Sequence, residues 1–118
     1  MPLSGVNVVE VGLNLAGPLV GEIMAGLGAN VVKIERPEGG DDARGWGPPF
    51  IQGTSPLFHA RNRDKKSVTI DFKDPAAMVQ LRGLVERADV FIQNLRPGNA
   101  DELGIGPAAL LEINPRLV

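Results

Sequence analysis

The chain contains no cysteine, which excludes a disulfide framework, a thiolate nucleophile and every zinc or iron–sulfur site built on thiolates. A single histidine, His59, is too few for a histidine-rich metal site and constrains any Ser-His-Asp arrangement. With no carboxylate or second ligand close to it in sequence, His59 reads as a core or partly exposed side chain. No metal is expected. Positive charge is not in excess either: 12 Lys+Arg stand against 14 Asp+Glu, a formal net charge of −2. The electrostatic footprint of a nucleic-acid or anionic-membrane binder is therefore missing. No apolar run approaches the roughly 18 residues of a membrane span, and Met1-Pro2-Leu3-Ser4 lacks the basic start of a secretory signal. The expectation is a cytoplasmic chain with neither nucleic-acid nor membrane partners.

What is present is the composition of one globular domain: 118 residues, 43% hydrophobic and 22% charged, enough for one core but not two. Val6–Val11 is a short β-branched run ended by Gly12 and predicts a buried strand. Gly17-Pro18 fits a first helical turn, and Leu19, Val20, Ile23, Met24 and Leu27 recur at helical spacing until Gly28 closes the helix. Asn30–Ile34 predicts a second strand and Ser67–Asp71 a third. Asp74-Pro75 opens a helix whose apolar stripe is Met78, Leu81, Leu84, Val85 and Ala88; Val90–Gln93 gives a fourth strand, and Gly106-Pro107 starts a last helix to about Ile113. Leu117-Val118 resembles the first step of a fifth strand, so the chain is expected to be a fragment or to lean on a partner. Between Pro37 and Pro56 nine of twenty residues are Gly or Pro, which predicts a long ordered loop anchored by Trp46 and Phe50. The alternation of strands and helices argues for an α/β, Rossmann-like fold with a largely parallel sheet and flanking helices.

Ligands of such sheets lie beyond the carboxyl ends of the strands. Four segments occupy those positions: Asn14–Pro18, Glu35–Pro37, Asp71–Lys73 and Asn94–Pro97. They combine cationic side chains with helix starts, which suits a phosphorylated ligand. Neither the G-x-G-x-x-G dinucleotide fingerprint nor a P-loop is present. Taken singly, Arg36 reads more readily as a solvated charge than as a phosphate ligand, Asn94 equally as a turn former or a ligand, and Lys73 as half of a surface pair with Asp74.

The exact wording of the chain adds more. Pro2–Glu10, Ala16-Gly17-Pro18, Leu27–Pro37, Gly40-Asp41 and Arg44-Gly45-Trp46 resemble the opening of the class III CoA-transferase family. Asn62, Lys65-Lys66-Ser67, Asp71-Phe72-Lys73, Ala88-Asp89-Val90, Asn94, Arg96-Pro97-Gly98, Leu103-Gly104 and Asn114–Leu117 continue the resemblance in order, so that it spans residues 1–118. It implies that the chain is the N-terminal part of a large CoA-binding domain, within an interlocked homodimer. The implied activity moves CoA between an acyl-CoA and a carboxylic acid acceptor through an aspartyl anhydride, a case of nucleophilic catalysis. The implied nucleophilic aspartate lies outside these residues, so no catalytic residue is assigned and the piece alone is expected to be inactive. The resemblance places Leu15 and Ala16 against coenzyme A through their backbone, and Arg36 beside the adenosine. Ile70, Asp71, Phe72 and Lys73 would line the nucleotide, and Asn94, Leu95 and Arg96 would flank the phosphate or pantetheine chain.

There are departures from the family pattern. Leu15 replaces a polar active-site side chain found in some members, Leu95 replaces a common aromatic, and Glu102 stands where formyl-CoA enzymes carry an arginine. An α-methylacyl-CoA racemase, which shares the fold and exchanges a proton through an acid–base pair, is the alternative enzyme. A non-catalytic nucleotide-binding module is the alternative outside catalysis.

Overall fold

A computed structural model describes all 118 residues. Four strands, β1 (Asn7–Val11), β2 (Asn30–Glu35), β3 (Lys66–Thr69) and β4 (Val90–Gln93), form one sheet in the order β3-β2-β1-β4. Every pairing is parallel, with Val8 opposite Val31 and Val90, and Ile34 opposite Val68. The helices are α1 (Ala16–Gly26), α2 (Pro56–Arg61), α3 (Pro75–Glu86), α4 (Asn99–Glu102) and α5 (Pro107–Ile113). This strand order is the first part of a doubly wound sheet, whose direction of winding reverses between β1 and β4. The expected α/β class and parallel sheet are therefore what the chain adopts.

Alternation along the strands divides the interior. Val9, Val11 and Ile34 face one side, where they pack with Ile70, with Leu81 and Val85 of α3, and with Leu110 of α5. Val8 and Val31 face the other side, against Ala25 of α1 and Ala29. That second apolar cluster is small because the same face also carries Glu10 and Lys33, both fully buried. Leu19, Val20 and Ile23 on the outward side of α1, and Leu27 just after it, remain exposed.

Local rules explain the ends of the elements. Pro stands in the first turn of α2, α3 and α5, and the side chains of Ser55 and Asp74 cap α2 and α3. Gly28 after α1 has φ +102°, the left-handed conformation that closes a helix cheaply only with glycine. Asn114 donates from Nδ2 to the carbonyls of Val85 and Ala88 at 3.0 and 2.8 Å, tying the end of α5 to that of α3.

The structure differs from the sequence expectation in places. The third strand is Lys66–Thr69, shifted towards the N-terminus, and Ile70 beyond it donates its N–H to the Glu35 carbonyl at 2.9 Å. The single 3-10 turn over Asp42–Gly45 is hidden among glycines and prolines, and α2 and α4, of six and four residues, are too short to show a helical period; none of the three is read from the sequence. Nor do Trp46 and Phe50 anchor the long loop: they are 45% and 51% exposed. Polar groups hold it instead. Ser55 donates its hydroxyl to the Ala43 carbonyl, both residues being buried, and the Arg44 guanidinium lies 3.9 Å from the centre of the Phe58 ring. Val118 donates its N–H to the Asp89 carbonyl and accepts that of Phe91, the start of parallel pairing against the free edge of β4.

Candidate functional site

The carboxyl ends of the four strands share one edge of the sheet. Along it stand Ile70–Lys73 after β3, Arg36 after β2, Leu15–Ala16 after β1 and Asn94–Arg96 after β4. With strands about 4.8 Å apart, this row is about 15 Å long, which suits an elongated ligand.

At the β3–β2 end there is a groove of about 400 Å³, lined by Arg36, Pro37, Glu38, Ile70, Asp71, Phe72, Lys73 and Leu103. Five of the residues predicted from sequence thus meet in one place. Their roles differ: Ile70 is fully buried in the core, and Phe72 packs partly against that core. Asp71 Oδ1 accepts the Lys73 N–H at 2.9 Å and shapes the turn. Arg36 is half-exposed, donates from Nε to the Glu38 carbonyl at 2.8 Å, and pairs through Nη2 with the Asp42 carboxylate. Arg36 and Lys73 are the cations of the groove.

Glu35 roots Arg36 in the sheet. Its buried carboxylate accepts two hydrogen bonds from Arg44, at 2.8 Å each, one from the Asp41 N–H at 2.9 Å and one from the Ser67 hydroxyl. Burial works to raise the Glu35 pKa, but these donors, Arg44 foremost, outweigh it and hold the group at about 2. The same pair raises the Arg44 pKa, chiefly through its hydrogen bond to Glu35.

The other end of the row lies where the winding reverses, between β1 and β4. Here Asn94 Oδ1 accepts the Leu13 N–H and its Nδ2 donates to the Leu13 carbonyl, both at 2.9 Å. Close backbone approach makes this possible. A Cβ on Gly17 would lie 2.8 Å from Gly12 Cα and 3.0 Å from Asn94 Oδ1, so both glycines are required by space. Leu15 and Ala16 project as exposed residues at the start of α1, and no side chain caps that helix. The first-turn N–H groups, which have no intrahelical acceptor, are thereby open to a ligand oxygen. Arg96 is exposed nearby, whereas Leu95 packs partly against the core.

Beneath this turn lies a group of residues that sequence reasoning missed. Lys33 Nζ contacts Glu10 Oε2 at 2.9 Å, Asp41 Oδ2 at 3.0 Å and the Gly12 carbonyl at 2.9 Å. Lys65 Nζ contacts Glu10 Oε1 at 2.7 Å, and the Pro18 carbonyl and Asn62 Oδ1 at 2.8 Å each. Burial pushes the Lys65 ammonium below its ordinary pKa, against the opposing pull of Glu10. Asp41 Oδ1 accepts the N–H of Asn14 at 3.1 Å and that of Ala43 at 3.0 Å. The only signal in the sequence was that charged Glu10 and Lys33 interrupt runs otherwise fit for buried strands.

Comparison with known proteins agrees with this architecture. The chain matches the family described as CoA-transferase family III over residues 3–118, and it belongs to that family. It is 42% identical over 123 residues to a succinate–glutarate CoA-transferase of Agrobacterium fabrum, covering 99% of this chain and 31% of that protein. To the human succinyl-CoA:glutarate CoA-transferase it is 39% identical over 117 residues, covering 99% of this chain and 27% of the other. A crystal structure of a CAIB/BAIF family protein from Brucella suis superposes with a TM-score of 0.94 at 47% identity, over 100% of this chain and 32% of that one. The chain thus spans about three-tenths of the length of the relatives it matches. No helix is long and apolar enough to cross a membrane.

Proposed function

We propose that this chain is the CoA-binding N-terminal portion of an enzyme that moves CoA from an acyl-CoA thioester to a carboxylic acid. The single observation that carries the reading is the row of sites along one sheet edge, in a chain of CoA-transferase family III. Arg36 and Lys73 supply charge for the phosphates of the nucleotide end. The uncapped start of α1 and the exposed Leu15 and Ala16 offer backbone donors and an apolar surface to the pantetheine end.

The reaction in this reading is nucleophilic. An aspartate carried elsewhere in the protein attacks the thioester carbonyl, CoA leaves as a thiolate, and an aspartyl anhydride forms. The thiolate then attacks the aspartyl carbonyl, releasing the first carboxylate, and the acceptor completes the exchange in reverse order. Residues 1–118 hold and orient CoA and supply none of the bond-forming atoms. The exposed apolar face of α1 supports burial against the rest of the protein in a homodimer, and a cytoplasmic location fits the absence of cysteine. The two relatives named as succinate–glutarate and succinyl-CoA:glutarate CoA-transferases favour dicarboxylates as acyl and acceptor groups.

The test uses the full-length protein carrying this chain, with succinyl-CoA as donor and glutarate as acceptor. Glutaryl-CoA is expected by mass spectrometry, with no reaction when the acceptor is left out. Loss of label from an α-deuterated acyl-CoA in the absence of any acceptor, without CoA transfer, would overturn the transferase reading in favour of a racemase.

A further inference from the structure

Four charged side chains in one contact group are buried on the α1 side of the sheet: Glu10 and Asp41 at 0%, Lys33 at 1% and Lys65 at 2% exposure. They come from β1, β2, the long loop after β2 and the segment before β3. Two cations meet two anions, so the group is neutral as a whole. Each ammonium has three N–H groups, and each has three oxygen neighbours at 2.7–3.0 Å. Replacing such a group by packed apolar side chains commonly leaves stability unchanged or higher, so stability is a weak reason for its presence. What it does on the page is geometric.

Each lysine uses one N–H on a backbone carbonyl of the β1–α1 turn: Lys33 on Gly12 O, where the chain leaves β1, and Lys65 on Pro18 O, inside the first turn of α1. Asp41 takes the N–H of Asn14 between them. Asn14 itself sits at φ +64°, in the left-handed region that asparagine adopts more readily than other non-glycine residues. Leu15 and Ala16, the two residues of the turn offered to the ligand, are left without such support and exposed.

We propose that Lys33, Lys65 and Asp41 are positioning residues of the acyl-CoA site, a buried ionic clamp that sets the shape of the Gly12–Pro18 turn and so the placement of Leu15 and Ala16. The inference rests on the reading of that edge as the CoA site. It adds residues that touch no ligand yet determine its affinity. Misplacement of a bound substrate by about 1 Å can cost about a hundredfold in rate.

The test compares Asp41→Asn with Asp41→Ala in the full-length enzyme. Asn keeps an oxygen for the Asn14 N–H, whereas Ala removes it. The expected result is that Asp41→Ala raises the Kd and KM for succinyl-CoA at least tenfold while the KM for the carboxylate acceptor stays within about twofold, and that Asp41→Asn recovers most of the loss. The charge-neutral double variant Glu10→Gln/Lys65→Met covers the case in which the alanine variant fails to fold, and it should show the same split. Glu22→Gln, which removes the charge of the outer pairs that Glu22 makes with Arg61 at 2.8 Å and Arg63 at 3.2 Å, is the control and should leave both constants unchanged. Equal loss for donor and acceptor, or folded variants that bind succinyl-CoA as the wild type does, would overturn the clamp. A wild-type enzyme that binds no acyl-CoA would remove the underlying reading, and the clamp with it.

Discussion

Gly21 of α1 lies so close to Glu10 of β1 that a Cβ built on it would sit 1.9 Å from Glu10 Oε1 and 3.1 Å from Lys65 Cε. The helix packs on the sheet directly over the buried ion pairs, and a hydrogen is the largest substituent that fits. In an open helix interior, Gly→Ala stabilises by about 1 kcal/mol. Here the sign reverses. Gly21→Ala is expected to destabilise by about 1–3 kcal/mol through overpacking. Gly83→Ala in α3, where only Arg87 Nη1 comes within 4.0 Å, should show the ordinary gain. Denaturant midpoints of the two variants, measured side by side, decide the matter.

A second expectation concerns Asn94, the one side chain that reaches from β4 to the β1–α1 turn with both a donor and an acceptor. Asn94→Ala leaves the N–H and carbonyl of Leu13 without their partner and loosens the point at which the winding reverses. The stability cost should be about 1–2 kcal/mol, small because water reaches the site. Binding should suffer more, with the Kd for CoA rising about tenfold. Asn94→Asp, which keeps the acceptor but sets a carboxylate against the Leu13 carbonyl, should not restore it. Calorimetric titration of full-length variants with CoA reads both effects.

Much of this architecture was legible beforehand. The strands rich in Val and Ile, the Gly28 stop after α1 and the Met78–Ala88 stripe state a βα alternation, and a parallel sheet follows from it. The placement of Arg36 and of Asp71–Lys73 at strand ends was equally readable, because position after a strand is a sequence property. The clamp was not. Glu10 and Lys33 are 23 residues apart and Lys65 is 55 from Glu10, and nothing in the sequence pairs them before the sheet register does. Trp46 failed for the converse reason. A large aromatic reads as an anchor, yet the loop is held by Asp41, Ala43, Ser55 and Arg44, whose partners are backbone groups, the Glu35 carboxylate and the face of the Phe58 ring.

Glu35 makes stability depend on acid. Its pKa falls from the ordinary carboxylate value of 4.5 to about 2 in the folded chain. A group whose folded pKa is depressed stabilises the fold above its unfolded pKa, and this contribution is lost as pH falls towards the folded value. The window is therefore pH 4.5 down to 2, and on the order of 2–3 kcal/mol is lost across it. Glu35→Gln should begin less stable at pH 6, because Arg44 then lacks its counter-charge, and should decline less between pH 4.5 and 2.5. Guanidinium unfolding of both proteins at a series of pH values gives the two slopes. Equal slopes would show that other carboxylates carry the acid sensitivity.

Arg36 offers a pair of substitutions with opposite signs. Its guanidinium is half-exposed in the groove and already paired with Asp42, so an anionic ligand must compete with a carboxylate. Removing the cation by Arg36→Ala takes away a charge-assisted contact and is expected to weaken CoA binding about tenfold, in line with the 1.5–3 kcal/mol that such bonds contribute less the screening of an exposed site. Removing the competitor by Asp42→Asn leaves the guanidinium in place, still held by the Glu38 carbonyl, and adds a unit of positive charge to the groove. Binding should then tighten about two- to threefold, and more at low ionic strength, since the gain is electrostatic over a distance comparable to the Debye length. Isothermal titration of full-length variants with CoA at 20 mM and 200 mM salt, which correspond to Debye lengths of roughly 20 Å and 7 Å, distinguishes the cases. If Asp42→Asn weakens binding as Arg36→Ala does, the aspartate orients the guanidinium instead of competing for it. A ligand insensitive to both substitutions would place the phosphates of CoA elsewhere on the edge, beside Lys73 or Arg96.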